Sequence, residues 1–326
     1  MNSQPKYYIL CIANLRSGGP EALHQLRYYM EQVGLDASLV YYNCKQGVDP
    51  MPEPYGVYGI KRTKIEEVED TGNNIIISAE SSTLQLNRFK QIRKYIWWLS
   101  VNWLDYKSLP LSALLKHKYK QLIGKESSIE SYCNYPLKSC THVCGSKYAL
   151  EYVIKLGLKA EYLVEPISKV FLETDNHSEY ERNDVVLYNP AKPSDIMSRL
   201  LAENRFQFKP LTKMTTLDLI EAYKHAKLYI DFGHFGGPER MPKEAVYFGC
   251  CLLVGKRNAA ANDFDVAIPD KYKLEDYNNI ACVNEKIEYL LNNYDACIAD
   301  FRPFKDKVSQ LETNFLIQIN EIFINR

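Results

Sequence analysis

The chain has 326 residues, 46% of them hydrophobic and 25% charged, a globular composition with apolar material for about two domains. Lys plus Arg equals Asp plus Glu at 40 each, so global charge gives no reason to expect nucleic acid as a partner. Gly and Pro contribute 15 each, which excludes collagen-like and low-complexity architectures.

The polar start, Met1 to Lys6, lacks a basic stretch leading into a long apolar run, and no signal peptide is expected. Tyr7–Ala13 reads as a buried strand, followed by a Ser-Gly-Gly-Pro turn at 17–20. Pro20 suits the first turn of a helix whose apolar face is Leu23, Leu26, Met30 and Val33, with Gly34 as its stop. Strands are predicted at Ser38–Tyr42, Ile75–Ser78, Tyr95–Val101, His142–Gly145 and Glu161–Val164. Between the last two, Ser146 caps a helix carrying Ala149, Val153 and Leu156, and Gly157 ends it. This is β-α-β grammar and predicts a mostly parallel sheet. Phe171–Asp184 turns polar and acidic and reads as a linker. The same grammar then resumes, with strands at Asp184–Asn189, Phe206–Leu211, Leu228–Phe232 and Cys250–Val254. Helices are predicted at Thr215–Ala226, Pro242–Gly249 and Glu285–Asn293. A long one runs from Phe304 to the end, its apolar side formed by Phe304, Val308, Leu311, Phe315, Ile319 and Ile322. No stretch approaches the roughly 18 uncharged apolar residues of a membrane span. Nine cysteines, an odd number without a CxxC pair, read as reduced thiols in a cytosolic protein and not as a disulfide frame or zinc site.

Two segments can carry chemistry. Ser17-Gly18-Gly19-Pro20-Glu21 joins a strand end to a helix start, where free N–H groups and the positive dipole end favour phosphate or carboxylate. It is not GxGxxG, and a purely steric turn is the other reading. In the second segment the strand ending near Phe232 empties into a loop with His234, Gly236, Gly237, Glu239 and Arg240, and a helix opens with Lys243 and Glu244 in its first turn. Such a loop beyond a strand's carboxyl end is where open α/β sheets bind ligands. Arg240 has the fork geometry to grip a pyrophosphate, and Glu244 can accept from ribose hydroxyls. The alternative is that Glu244 complements the helix dipole and Arg240 pairs with Glu239.

These residues resemble a family. Gly18-Gly19-Pro20-Glu21 is similar to the glycine-rich loop of B-type (GT-B) nucleotide-sugar glycosyltransferases, particularly the large retaining family four. Leu217 to Val254 resembles that family's donor region, His142–Gly157 its N-domain closing unit, and Val186–Lys192 (VLYNPAK) the start of its C-domain. The family's paired glutamates are eight apart, whereas the position eight before Glu244 is Gly236.

The resemblance implies two doubly wound Rossmann-like domains facing a cleft: 1–170 on the acceptor side, 171–303 binding nucleotide sugar, and a helix at 304–326 packing back toward the N-domain. It implies transfer of a sugar from a nucleoside diphosphate sugar to a glycan or lipid-linked acceptor, in bacterial surface polysaccharide assembly. Arg240, Lys192 and Lys213 would stabilise the leaving diphosphate, Gly18 and Gly19 would present amides, and Asn189 flanks Lys192 at its strand end. His234 would touch the sugar or act as acid/base. No metal and no cofactor beyond the donor is expected; Asp263-Phe264-Asp265 lies too late in the chain for a metal motif, and Gly124-Lys125-Glu126-Ser127 is no P-loop. A nucleotide-sugar epimerase and a silent sugar- or membrane-binding scaffold are the rivals.

Between Ser81 and Lys125, nine Lys/Arg stand against one acid, Asp105, and Trp97, Trp98 and Trp103 lie in the same window. An anionic membrane surface would favour that combination, which would place a cytoplasmic protein peripherally on the inner membrane face. A core strand with a solvated lysine face is the other reading.

Overall fold

The structure is a computed structural model that describes residues 4–59, 61–101, 111–122, 135–176, 180–192 and 194–325. The chain divides into two compact units, Met1–Glu165 with Asn314–Arg326, and Pro166–Thr313. Both are α/β with parallel sheets, the doubly wound Rossmann-like class.

Among the described residues the first unit has six strands: β1 (Lys6–Ile12), β2 (Asp36–Tyr42), β3 (Ile75–Ala79), β4 (Arg93–Trp98), β5 (Thr141–Cys144) and β6 (Ala160–Tyr162). Their order is β2-β1-β3-β4-β5-β6, every pairing parallel. The helices here are α1 (Gly18–Gln32), α2 (Leu111–Leu122) and α3 (Lys147–Lys155). The core runs of β1 and β3 are buried without alternation, because helices cover both faces of a parallel sheet. Side chains still alternate in direction along each strand. On β4, Ile96 and Trp98 join the core cluster containing Leu10, Ile76 and Val153 of α3. Tyr95 and Trp97 meet the chain's last helix instead, Tyr95 against Phe323 and Trp97 stacked on Phe315 at 5.8 Å.

At β4 the core-strand reading of the tryptophans holds, and the predicted strand end is corrected. Trp97 and Trp98 are fully buried, and their indole N–H groups donate to Leu163 O at 3.2 Å and His142 Nδ1 at 3.1 Å. They are core residues and not interfacial aromatics; Trp103, Lys107 and Lys125 lie outside the described residues. The strand also ends at Trp98, short of Val101, because the Glu80 carboxylate takes the Leu99 N–H at 2.9 Å.

Among the described residues the second unit has five strands: β7 (Asn183–Tyr188), β8 (Gln207–Pro210), β9 (Ala226–Asp231), β10 (Cys251–Gly255) and β11 (Lys273–Leu274). Their order is β11-β10-β9-β7-β8, again parallel. Around them run α4 (Lys169–Leu172), α5 (Asp195–Glu203), α6 (Thr216–His225), α7 (Arg240–Tyr247), α8 (Ile280–Asn292), α9 (Tyr294–Cys297) and α10 (Arg302–Ser309). The final helix, α11 (Leu311–Phe323), belongs to the first unit from Asn314 on. The predicted single terminal helix is thus two, separated at Gln310.

The described residues from Phe171 on are anchored in the second unit and form no surface linker. Phe171 and Asn176 are buried, and Arg182 donates to Tyr223 O at 2.9 Å, Ala226 O at 2.8 Å and Phe248 O. Gly249, at φ 89°, makes room for that guanidinium: a Cβ there would lie 2.6 Å from Nη2. Cys11, Cys144, Cys250, Cys251 and Cys297 are buried thiols, and burial pushes Cys250 up to about 12. No helix among the described residues is long and apolar enough to cross a membrane.

Candidate functional site

In a sheet ordered 2-1-3-4-5, the winding reverses between the first and third strands, and the crevice outside their carboxyl ends is the usual ligand position. In the second unit those strands are β7 and β9. Beyond β7, Asn189 Oδ1 accepts from Ala191 N at 2.9 Å and Asn189 O accepts from Lys192 N at 3.3 Å. This tight turn aims Lys192 at the end of β9. The Lys192 ammonium lies 2.5 Å from Glu239 Oε2, 3.5 Å from Asp231 Oδ2 and 4.8 Å above the Phe235 ring. An ammonium has three N–H donors, so two carboxylates leave one for a ligand.

Asp231 closes β9 and is buried, its other oxygen accepting from Gly233 N at 2.9 Å. Gly233 is required here by close approach, since a Cβ would lie 2.6 Å from Lys192 Cβ. Arg257, just past β10, clamps the same loop. Its Nε donates to Gly233 O at 3.1 Å, Nη2 to Phe232 O at 2.6 Å and Nη1 to Tyr277 Oη at 3.2 Å. His234 Nδ1 sits 3.4 Å from Asn258 Nδ2, and Gly236 and Gly237 are buried within the loop.

Helix α7 opens at Arg240, whose Nη2 donates to Pro166 O at 3.1 Å. Lys243 and Glu244 are buried on it, and Tyr223 Oη donates to Glu244 Oε2 at 3.2 Å. Burial, reinforced by the Asp231, Glu239 and Glu244 carboxylates, raises the Tyr229 phenol well above its ordinary value. Burial beside Glu244 does the same for Tyr223, so both stay neutral. Lys213 stands apart: it is exposed, beyond the edge strand β8, and holds a left-handed φ of 54°. Asp263 accepts from Lys273 Nζ at 2.7 Å, which holds its carboxyl below the usual range. Among the described residues no group of three or more His, Cys, Asp or Glu is placed to hold a metal ion.

In the first unit the corresponding strands are β1 and β3. Gly18 and Gly19 are the first residues of α1, and Tyr55 Oη holds Ser17 just before them, donating to Ser17 O at 2.9 Å and accepting from Ser17 N at 2.8 Å. A Cβ on Gly19 would meet only Leu99 Cδ1, at an ordinary 3.8 Å. Packing therefore tolerates a side chain at 19, and the steric reading of that glycine loses its basis. His24 pins the same turn, donating from Nδ1 to Pro20 O at 2.6 Å and accepting at Nε2 from Tyr41 Oη at 2.7 Å. Glu80 directly follows β3 and is buried. Burial raises its carboxyl to about 7, the Glu165 charge adding to the effect while the Leu99 and Ser100 amides pull it down.

Asp231, Arg257, Tyr223 and Glu80 are residues that sequence reasoning passed over. Asp231 and Glu80 each end or follow an apolar strand directly, a position that is itself a readable signal in an α/β chain. Arg257 has no such mark.

No protein-family model matches the chain, and no curated protein does. Among solved structures it is similar to TarM, with a TM-score of 0.68 at 9% identity over 99% of both chains. It is similar to sucrose-phosphate synthase from Thermosynechococcus elongatus, at 0.64 and 10% over 99% of both. An alpha-glucosyltransferase in complex with UDP and a 13-mer DNA containing a central A:G mismatch aligns at 0.60 and 10%, over 99% of this chain and 100% of that one. At such identities the likeness is one of fold, and the fold is that of the GT-B glycosyltransferases.

Proposed function

We propose that the chain is a glycosyltransferase that moves a sugar from a nucleoside diphosphate sugar to a glycan or lipid-linked acceptor. The observation that carries this reading is the Lys192–Asp231–Glu239 cluster at the β7/β9 winding reversal, in a fold shared with sugar-transferring enzymes. As the glycosidic bond breaks, the diphosphate leaves with the electron pair and gains charge. Lys192 and Arg240 offset that charge. In this reading side-chain cations compensate the diphosphate without a metal. Glu244, oriented by Tyr223, accepts from the ribose, and His234 lies on the loop that would meet the sugar. The setting we propose is bacterial surface polysaccharide assembly on the cytoplasmic side of the membrane.

Calorimetric titration with UDP, GDP, CDP and dTDP tests it. One of them should bind, and Lys192→Ala and Arg240→Ala should each weaken it by about 1–3 kcal/mol while the fold persists. Failure of every nucleoside diphosphate to bind overturns the reading. Conversion of the donor sugar without any acceptor would show an epimerase instead.

A further inference from the structure

Helix α2 of the first unit carries an apolar stripe on its exposed side. Leu111 is 72% exposed, Leu115 59%, Tyr119 63% and Leu122 85%. At 100° per residue these four fall within an arc of roughly 80°. Single exposed leucines are ordinary on a protein surface, but four large apolar groups on one arc of a 12-residue helix are a patch. The stripe is edged by lysines, Lys118 about 20° beyond one side and Lys116 about 60° beyond the other, both exposed. The helix contains no acidic residue.

That arrangement selects among occupants. A second copy of the chain would set Lys116 and Lys118 against their own kind across a two-fold contact. Nucleic acid would use the lysines and leave the apolar stripe in water. An anionic bilayer uses both: the stripe enters the boundary between headgroups and acyl chains, and the lysines extend outward to the phosphates. We propose that α2 docks the first unit, lying in the membrane plane, on an anionic lipid surface. The role of this docking, presenting the site to a lipid-linked acceptor, rests on the function proposed above; the binding itself does not.

Cosedimentation of the full chain with vesicles of phosphatidylcholine, with and without phosphatidylglycerol, tests the proposal. Partitioning should be at least about tenfold stronger on the anionic vesicles. A Leu115→Ser/Tyr119→Ser/Leu122→Ser chain and a Lys116→Glu/Lys118→Glu chain should each lose about tenfold or more. Both should keep the wild-type thermal transition, since the altered side chains are exposed. Wild type left in the supernatant with anionic vesicles overturns the proposal, as does sedimentation of both variants at the wild-type level. So does loss in the lysine variant alone, which is the signature of plain charge attraction, or a solution dimer that the serine substitutions dissociate. Nucleoside diphosphate binding, read on the same preparations, keeps this outcome separate from that of the transferase reading.

Discussion

Lys192 reaches Asp231 and Glu239 only because nothing stands between the turn after β7 and the end of β9. The space is provided by Gly233, and an alanine there would press on Lys192 at its Cβ, the rigid root of the side chain. Gly233→Ala should therefore shift Lys192 as a whole, lowering nucleoside diphosphate affinity about tenfold and stability by about 1–3 kcal/mol. Calorimetric titration and urea unfolding of the same variant check both. A second residue-scale prediction concerns Glu80. Its carboxyl titrates near 7 when folded, against an ordinary value of 4.5, so its contribution to stability is full below 4.5 and is lost as pH rises through 7. Between pH 5 and pH 8 the wild type should lose about 2–3 kcal/mol relative to Glu80→Gln in urea unfolding. His24, depressed by burial, titrates alike in both chains and cancels from that difference. Parallel pH profiles for the two chains would show that Glu80 is ionised throughout. The polar residues after β9 are legible in the sequence because Gly and charge cluster there. The pairing of Glu239 with Lys192 is not, since it depends on which strand lies beside β9.

Helix α3 shows local signals at their most reliable. Ser146 precedes the first periodic apolar residue, and its hydroxyl accepts from Ala149 N at 3.0 Å. The contact satisfies one of the N–H groups that a helix start leaves open. Ser146→Ala should cost about 1 kcal/mol, measurable by urea unfolding, and Ser146→Asp should restore most of it. A wild-type midpoint in the alanine chain would mean that water replaces the cap at no cost. The boundaries of β4 and α7 were harder to read, for opposite reasons. The apolar run through Val101 continues past the point where Glu80 diverts the backbone, a long-range event with no local mark. In α7, Pro242 suggests a first helical position, yet the helix begins two residues earlier at Arg240. Proline is compatible with any place in the first turn, because those N–H groups have no intrahelical acceptor.

At the scale of the molecule, the alternation of strands and helices is legible along the whole sequence, and it suffices for two parallel sheets of the same winding. The return of residues 314–326 to the first unit is different in kind. The periodicity of α11 announces an apolar face without naming the surface it covers. That surface is aromatic: Phe315 stacks on Trp97 and meets Tyr29 edge-on at 5.6 Å, and Phe323 meets Tyr7 at 5.9 Å and Tyr95 at 5.5 Å. Tyr7 Oη adds a hydrogen bond to Phe323 O at 3.0 Å, and Gln318 Oε1 accepts from Val164 N at 2.7 Å. Phe315 is fully buried, so Phe315→Ala should remove about 3–5 kcal/mol from the first unit. All three tryptophans precede Glu165, so their emission reports on that unit specifically. The tryptophan-detected urea midpoint should fall accordingly, and a chain ending at Thr313 should show the larger loss, with Tyr7, Tyr95 and Trp97 uncovered. Unchanged emission and midpoint in the truncated chain would mean that the first unit closes its core without α11, and that the terminal helix is dispensable to the fold it rejoins.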